Sequence, residues 1–391
     1  MRIESVDMFY LALPKILSIG DGSQDTLLVR LRAGGFEGWG ECEASPLTTI
    51  ASFVCPMSHS GCQPVKASVL GQRLDSSRDI GRIGALVRAN SFDLLQAEHT
   101  LSGIDIAMWD LMGKKAGRPI YELLGYRKAY PKLAYGSVLF GKDPSETHKK
   151  VSRILSQGFR AVKLGWGPFG RKGLKHDREQ IAAARDAAGK YCKLMIDAGT
   201  VWGSDIRAAQ LRLPHLRAAK VTWLEEPFST NAYDSYLRLS RSAPRVPLAG
   251  GEGAHNADMA KHMIDFAGIE FVQIDTGRVG GISAAKEVVD YAQSKGKQYV
   301  NHTFTSNLAL SASLQPYAGV KEFGICEYPV ELSDLAKGLT STSMVPDGEG
   351  FVRLPSAPGL GLRVNLTTVS EYLQEVTISA GRKVLFKSQY P

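Results

Sequence analysis

Long apolar runs are missing from this sequence of 391 residues. No uninterrupted stretch approaches the roughly 20 residues that cross a bilayer, so no membrane span is expected. Cysteine is sparse: five residues, Cys42, Cys55, Cys62, Cys192 and Cys326, an odd number at wide spacing. That is a poor basis for a disulfide framework and suits a reducing cytoplasm. No apolar segment of the secretory kind follows Met1-Arg2-Ile3-Glu4, which again points to a cytoplasmic protein. Charge of one sign does not accumulate either. The 47 Lys and Arg against 39 Asp and Glu leave a net +8. The basic residues come singly or in pairs such as Lys149-Lys150, with no nucleic-acid motif among them, so nucleic acid is not an expected partner. The surplus reads as a solvated surface that attracts small anions.

Two weak signals are set aside on spacing. Cys55, His59 and Cys62, with Cys42 nearby, match no familiar zinc module, and no second paired motif follows. The stretch from Gly165 to Gly170 spells G-x-G-x-x-G, but a dinucleotide site needs that turn to open a helix directly. Pro168 and further glycines intervene, and helical periodicity resumes only near Asp177. This loop is read as a wall of an active site, with Trp166 near the substrate.

What is present falls into two textures. The first ~125 residues mix strand and helix signals. Thr26–Arg32 reads as a strand, Gly34-Gly35 as a turn, Phe36–Glu41 as the returning strand, residues 44–66 as a long polar loop, and Leu101–Met112 as a helix. From about residue 130, short apolar runs alternate with helical text at a regular interval. The runs are Leu133–Leu139, Ala161–Trp166, Leu194–Ala198, Thr222–Glu225, Pro247–Gly250, Phe271–Asp275, Tyr299–His302 and Phe323–Glu327. Eight such runs argue for a closed parallel barrel rather than an open sheet.

Seven ionisable residues stand at the ends of successive runs: Lys163, Asp197, Glu225, Glu252, Asp275, His302 and Glu327. Their intervals of 34, 28, 27, 23, 27 and 25 residues are each about one strand-helix unit. A barrel brings such strand ends to one mouth. Asp197, Glu225 and Glu252 would repel one another there unless a cation sits between them, and hard oxygen ligands suit Mg²⁺. Asp275 beside His302 is the arrangement of a general base, since an acceptor on one ring nitrogen fixes the tautomer and raises the basicity of the other. Lys163 offers a cation to a substrate carboxylate, and Glu327, protonated or hydrogen-bonded, would support an enolate oxygen. The set suits removal of a proton α to a carboxylate.

In these motifs the chain resembles the enolase superfamily, in its mandelate racemase/muconate lactonizing enzyme branch. The likeness runs through Gly38-Trp39-Gly40-Glu41, Gly103–Asp110, Ala161-Val162-Lys163, Met195–Ala198, Trp223–Pro227, Ala249–Glu252, Asp275 with Gly280-Gly281, and His302-Thr303-Phe304. The resemblance implies an α/β fold: a TIM-type (β/α)7β barrel over residues 126–355, with an N-terminal α+β capping domain over 1–125 and a C-terminal return to it over 356–391. It also implies Mg²⁺ on Asp197, Glu225 and Glu252, with the first acid of Glu225-Glu226-Pro227 as the ligand, and a homo-oligomer, dimeric or octameric.

Two positions depart from the family pattern. Racemases of the branch carry a second Lys two residues after the first, where this chain has Gly165. The Asn often found two residues after the first metal acid is Gly199 here. Racemisation wants a base on each face of the substrate, and the chain supplies one evident base. A single His can remove the α-proton and then protonate a departing β-hydroxyl. The expected activity is therefore dehydration of a sugar acid to a 2-keto-3-deoxy acid. The alternatives are a racemase, epimerase or cycloisomerase on a related hydroxy acid or lactone, and a non-catalytic protein that binds acid sugars. The loop 44–66 and His255 are candidates to read the sugar hydroxyls.

Overall fold

The computed structural model describes residues 1–243 and 245–391. The capping region opens with an antiparallel meander of β1 (Ile3–Ala12), β2 (Asp25–Ala33) and β3 (Phe36–Cys42). Gly34 and Gly35 turn the chain between β2 and β3 with φ of 56° and 79°, a pair that only glycine adopts freely. Four helices cover the meander: α1 (Pro46–Val54), α2 (Val65–Val69), α3 (Ser77–Asn90) and α4 (Ala97–Ala116). A reciprocal cap between Ser76 and Asp79 starts α3, and Gly117, at φ 65°, stops α4.

α4 lies directly on β3. A Cβ on Gly38 would stand 2.0 Å from the Ala107 carbonyl oxygen, and one on Gly40 would stand 2.1 Å from that of Gly103. These glycines are therefore the condition for strand and helix to touch backbone to backbone. The expectation of a long loop at 44–66 is corrected by α1. Ile50, Phe53 and Val54 supply its buried face, while the Thr and Ser residues between them gave the stretch a polar texture in sequence.

Eight parallel strands form the barrel: β4 (Lys132–Leu139), β5 (Ala161–Gly165), β6 (Lys193–Asp197), β7 (Trp223–Glu225), β8 (Leu248–Gly250), β9 (Phe271–Asp275), β10 (Gln298–His302) and β11 (Ile325–Pro329). Backbone ladders run from β10 through β4 to β11. Between β10 and β11 the Asn301 side chain makes the connection: its Oδ1 accepts the Glu327 N–H at 3.0 Å and the Tyr317 hydroxyl at 2.8 Å. With seven strand-helix units and a last strand, the architecture is the (β/α)7β barrel with an N-terminal cap.

The two-residue period of a strand decides what faces the barrel axis. Tyr135, Ala161, Met195, Trp223, Ala249 and Val300 form one fully buried apolar layer inside the barrel. Two residues further along the same strands stand Ser137, Lys163, Asp197, Glu225 and His302. The polar ring of the mouth is thus the next layer above an apolar plug.

Contacts between barrel and cap begin before the 356–391 segment. Ser333 already bonds Ser23, its N–H to the Ser23 hydroxyl at 2.8 Å. A two-residue strand, Phe351–Val352, then pairs antiparallel with the start of β4, and Leu360 donates its N–H to Asp110 of α4 at 2.8 Å. No described helix is long and apolar enough to cross a membrane.

Candidate active site

A cavity of about 250 Å³ opens where the barrel mouth meets the cap. Lys163, Asp197, Glu252 and His302 line it from the barrel. Lys163 lies at the centre of the ring, its Nζ 2.6 Å from Glu225 Oε1, 2.8 Å from Glu327 Oε1 and 4.0 Å from Asp197 Oδ2. Burial opposes its charge, but Glu225 and Glu327 hold its pKa well above the ordinary lysine value. Glu225 is further fixed by the Trp223 indole N–H at 2.8 Å. Burial and the neighbouring Glu225 push Asp197 well above the usual carboxylate range, although its Oδ1 accepts the Gly199 N–H at 2.7 Å.

Across the cavity, His302 Nδ1 is 2.8 Å from Asp275 Oδ2, while Asp275 Oδ1 accepts the Gly277 N–H at 2.8 Å. The carboxylate is an acceptor, so Nδ1 donates to it and Nε2 is the nitrogen that can exchange a proton. That Nε2 lies 3.3 Å from Glu252 Oε2. Burial works against protonating the ring, but Glu252, Glu327 and Asp275 together raise its pKa well above the ordinary value. Burial would raise the pKa of Glu327, yet Lys163 and His302 lower it, and its Oε2 accepts the Thr303 N–H at 2.8 Å. Glu327 is thus held by hydrogen bonds, pairing with Lys163 at 2.8 Å and accepting from Thr303.

The arrangement also explains the glycine at position 165. A Cβ there would stand 2.6 Å from Asp197 Oδ2, so the place of a second lysine stem is taken by the neighbouring acid. Gly199, at φ 53°, is matched in the same way to Trp166, whose indole would be 2.9 Å from an added Cβ. Trp166 itself lines the cavity.

Several lining residues carried no signal in the sequence. Glu43, just past β3, and Arg278, three residues past Asp275, form a partly buried ion pair with Arg278 Nε 3.1 Å from Glu43 Oε2. Burial would raise Glu43, but Arg278 and then His302 hold it below the ordinary glutamate value. Arg278 Nη1 also donates to the Glu252 carbonyl at 2.8 Å, tying the cap to the loop that bears Glu252. Loop 19–22 of the cap covers the cavity with Gly20, Asp21 and Gly22. The loop 44–66 does not line it, and His255 is exposed outside it, so neither is placed to read substrate hydroxyls. In the 55–62 stretch, His59 Nε2 faces Asp93 at 3.3 Å.

The donor chemistry suits a hard divalent cation. Asp197, Glu225 and Glu327 are buried around the single ammonium of Lys163, and Glu226 is buried as well. Burial, then Glu252, Asp197 and Glu225, push Glu226 well above the usual range, and its Oε1 has no hydrogen-bond partner among the described residues. No three acids, histidines or cysteines converge at coordinating geometry among the described residues. Lys163 fills the space beside Glu225, and Glu252 leans on His302 instead.

Residues 146–368 match the family described as enolase C-terminal domain-like, and residues 6–125 match the mandelate racemase/muconate lactonizing enzyme N-terminal domain. Among curated relatives, the D-galactarolactone cycloisomerase of Agrobacterium fabrum is 28% identical over 86% of this chain and 88% of its own. The arabinonate dehydratase of Saccharolobus solfataricus is 28% identical over 70% and 71%. A crystal structure from Rhodobacter sphaeroides, described as a predicted mandelate racemase, superposes with a TM-score of 0.95 at 52% identity over 99% of both chains. With both domains matched in order on a capped barrel, the chain belongs to the mandelate racemase/muconate lactonizing enzyme family of the enolase superfamily.

Proposed function

We propose that the protein is an enzyme that removes the proton α to the carboxylate of a sugar acid and expels the β-hydroxyl as water, giving a 2-keto-3-deoxy acid. The observation that carries this reading is the single base. The Asp275–His302 pair lines the cavity, and position 165, where racemases would carry a second lysine, is a glycine whose added Cβ would meet Asp197 Oδ2 at 2.6 Å. A racemase would need a second base, and no lysine stands at that position.

Lys163 would pair with the substrate carboxylate and draw charge toward it, with Glu225 and Glu327 keeping the ammonium in position. His302 Nε2 would take the α-proton while Asp275 stabilises the imidazolium. The same Nε2–H would then protonate the leaving hydroxyl, so the proton removed in the first step departs in water in the second. Asp197, Glu225 and Glu252 would hold Mg²⁺, which when bound supplies Lewis-acid stabilisation of the charge developing on the carboxylate. Trp166 and loop 19–22 would exclude bulk water.

Cycloisomerisation is the second reading. It opens a lactone or anhydro ring by the same one-sided elimination, and relatives named as cycloisomerases of galactarolactone and of 3,6-anhydro-galactonate favour it. A screen of sugar acids and lactones with Mg²⁺ in D₂O separates the readings. A keto acid detected by semicarbazide with loss of water supports dehydration, and an isomer of unchanged mass supports cycloisomerisation. Deuterium exchange at the α-carbon with neither product would point to epimerisation.

The metal assignment has its own test. Mg²⁺ at about a hundred times its Kd should stabilise the fold by about 3 kcal/mol. Glu225→Gln should lose most of that rise in Tm, while Glu226→Gln should keep it. The reverse pattern would move the ligand to the second acid of the motif.

A further inference from the structure

A second cavity, about 610 Å³, lies beside the first and shares Ile19, Gly20, Leu139 and Trp166 with it. Trp166 stands on the boundary. Its φ of 56° is a backbone conformation that a bulky residue rarely adopts, and Gly20 and Gly199 are bare on either side of the indole. A Cβ on Gly20 would press the ring at 2.8 Å.

The two cavities differ in charge. The cap side of the first carries Asp21 and Glu43, answered by Arg278. The second is lined by Lys142, Lys150 and Arg171 and by no acid. Lys150 is engaged by Glu331 at 3.1 Å and by the Leu139 carbonyl at 3.2 Å. Lys142 and Arg171 have no carboxylate within ion-pair distance among the described residues, although Arg171 donates to the Gly167 carbonyl at 3.2 Å. Two cations without acidic partners among the described residues thus line a space that adjoins the cavity of Lys163 and is divided from it by Trp166.

We propose that the cavity beyond Trp166 is a subsite for an anionic group at the far end of the substrate, so that the preferred sugar acids carry two anions. The distal group is the second carboxylate of an aldaric acid or a terminal phosphate, which share this chemistry. The inference rests on the acid-sugar reading and narrows its substrate class.

The test compares hexaric acids, hexonic acids and hexonic acid 6-phosphates of matched hydroxyl stereochemistry, all with Mg²⁺, by turnover and by calorimetric binding to His302→Asn. The wild type should favour the dianionic compounds by roughly tenfold, as two partly solvated ion pairs would allow. Lys142 and Arg171 are exposed, so K142A/R171A should fold normally. It should bring the dianionic compounds down to the hexonic acids, mainly through KM, and leave the hexonic acids within about twofold. K142E/R171E should reverse the preference. A stronger response to the phosphate than to the hexaric acid identifies the distal anion as phosphate. Hexonic acids used as well as their dianionic partners, or a double variant that lowers all three classes alike, overturn the subsite and leave the enzyme reading standing. If the wild type neither binds nor turns over any of them, the acid-sugar reading fails and the subsite falls with it.

Discussion

Buried carboxylates serve opposite ends at the seam between cap and barrel and at the barrel mouth. At the seam they are saturated. Asp110 accepts the N–H groups of Trp39 and Leu360, each at 2.8 Å, and Lys114 lies 2.7 Å away. Asp105 accepts the N–H and hydroxyl of Ser283 at 3.0 and 2.6 Å, joining α4 to the barrel helix Gly281–Ser294. Glu41 takes the hydroxyls of Thr26 and Ser306. At the mouth, by contrast, Asp197, Glu225, Glu226, Glu252 and Glu327 share one lysine and one histidine. Saturated acids fix two bodies against each other, whereas crowded acids hold a demand for positive charge that substrate chemistry can use.

The comparison breaks most sharply at His302. His302→Asn should lower turnover by about three orders of magnitude or more, in the range expected for loss of a general base. Its Tm should stay within a few degrees, because Asn removes a base from the mouth without touching the seam. A fall in Tm large enough to account for the lost activity would show that the mouth is structural as well.

The mouth was legible in the sequence for a physical reason. Strand ends recur once per strand-helix unit, and the two-residue period turns Lys163, Asp197, Glu225 and His302 inward above an apolar layer. Spacing alone also pointed to Glu252, two residues past β8, and to Asp275 and Glu327. The cap contributions were not legible in the same way. Glu43 reaches the cavity from the edge of a three-stranded meander, and Gly20 and Asp21 come from an irregular loop whose path no periodicity encodes. Arg278 stands just past a strand end, but its partner comes from 235 residues earlier in the chain. The 44–66 stretch misled because α1 spaces its buried residues among Ser and Thr. The motif glycines at 38 and 40 were visible as letters, yet their role depends on a helix that crosses them about 65 residues later in the chain.

The seam offers the next largest effect. Gly40→Ala places a Cβ 2.1 Å from the Gly103 carbonyl oxygen and 2.9 Å from the Ala107 nitrogen. Neither neighbour is a side-chain tip that can swing away, so the strand and α4 must separate. Overpacking of this kind costs about 3 kcal/mol. Thermal denaturation should show a fall of several degrees, while the folded fraction at low temperature keeps its kcat. Unchanged stability would mean that α4 does not rest on β3 as closely as the geometry requires.

Asp105 gives the smallest effect and the one with a definite sign in pH. Burial pushes its carboxyl up to about 6, although Ser283 and Arg88 pull the other way. The unfolded chain has the ordinary value near 3.8. Between these two values the folded protein holds a proton that the unfolded chain releases. Stability from this group is therefore fully present below the unfolded value and is lost as pH rises through about 6. The whole shift corresponds to at most about 3 kcal/mol. Asp105→Asn keeps the side-chain shape and abolishes the titration. Subtracting the variant from the wild type cancels the other titrating groups, so the difference in unfolding free energy isolates Asp105. That difference should move against the wild type between pH 4 and pH 7, by up to about 3 kcal/mol. A difference independent of pH would mean that Asp105 is already neutralised, by its proton or by Arg88, at both ends of the range. Asp105 would then join the seam through its hydrogen bonds to Ser283 with no titration of its own in that range.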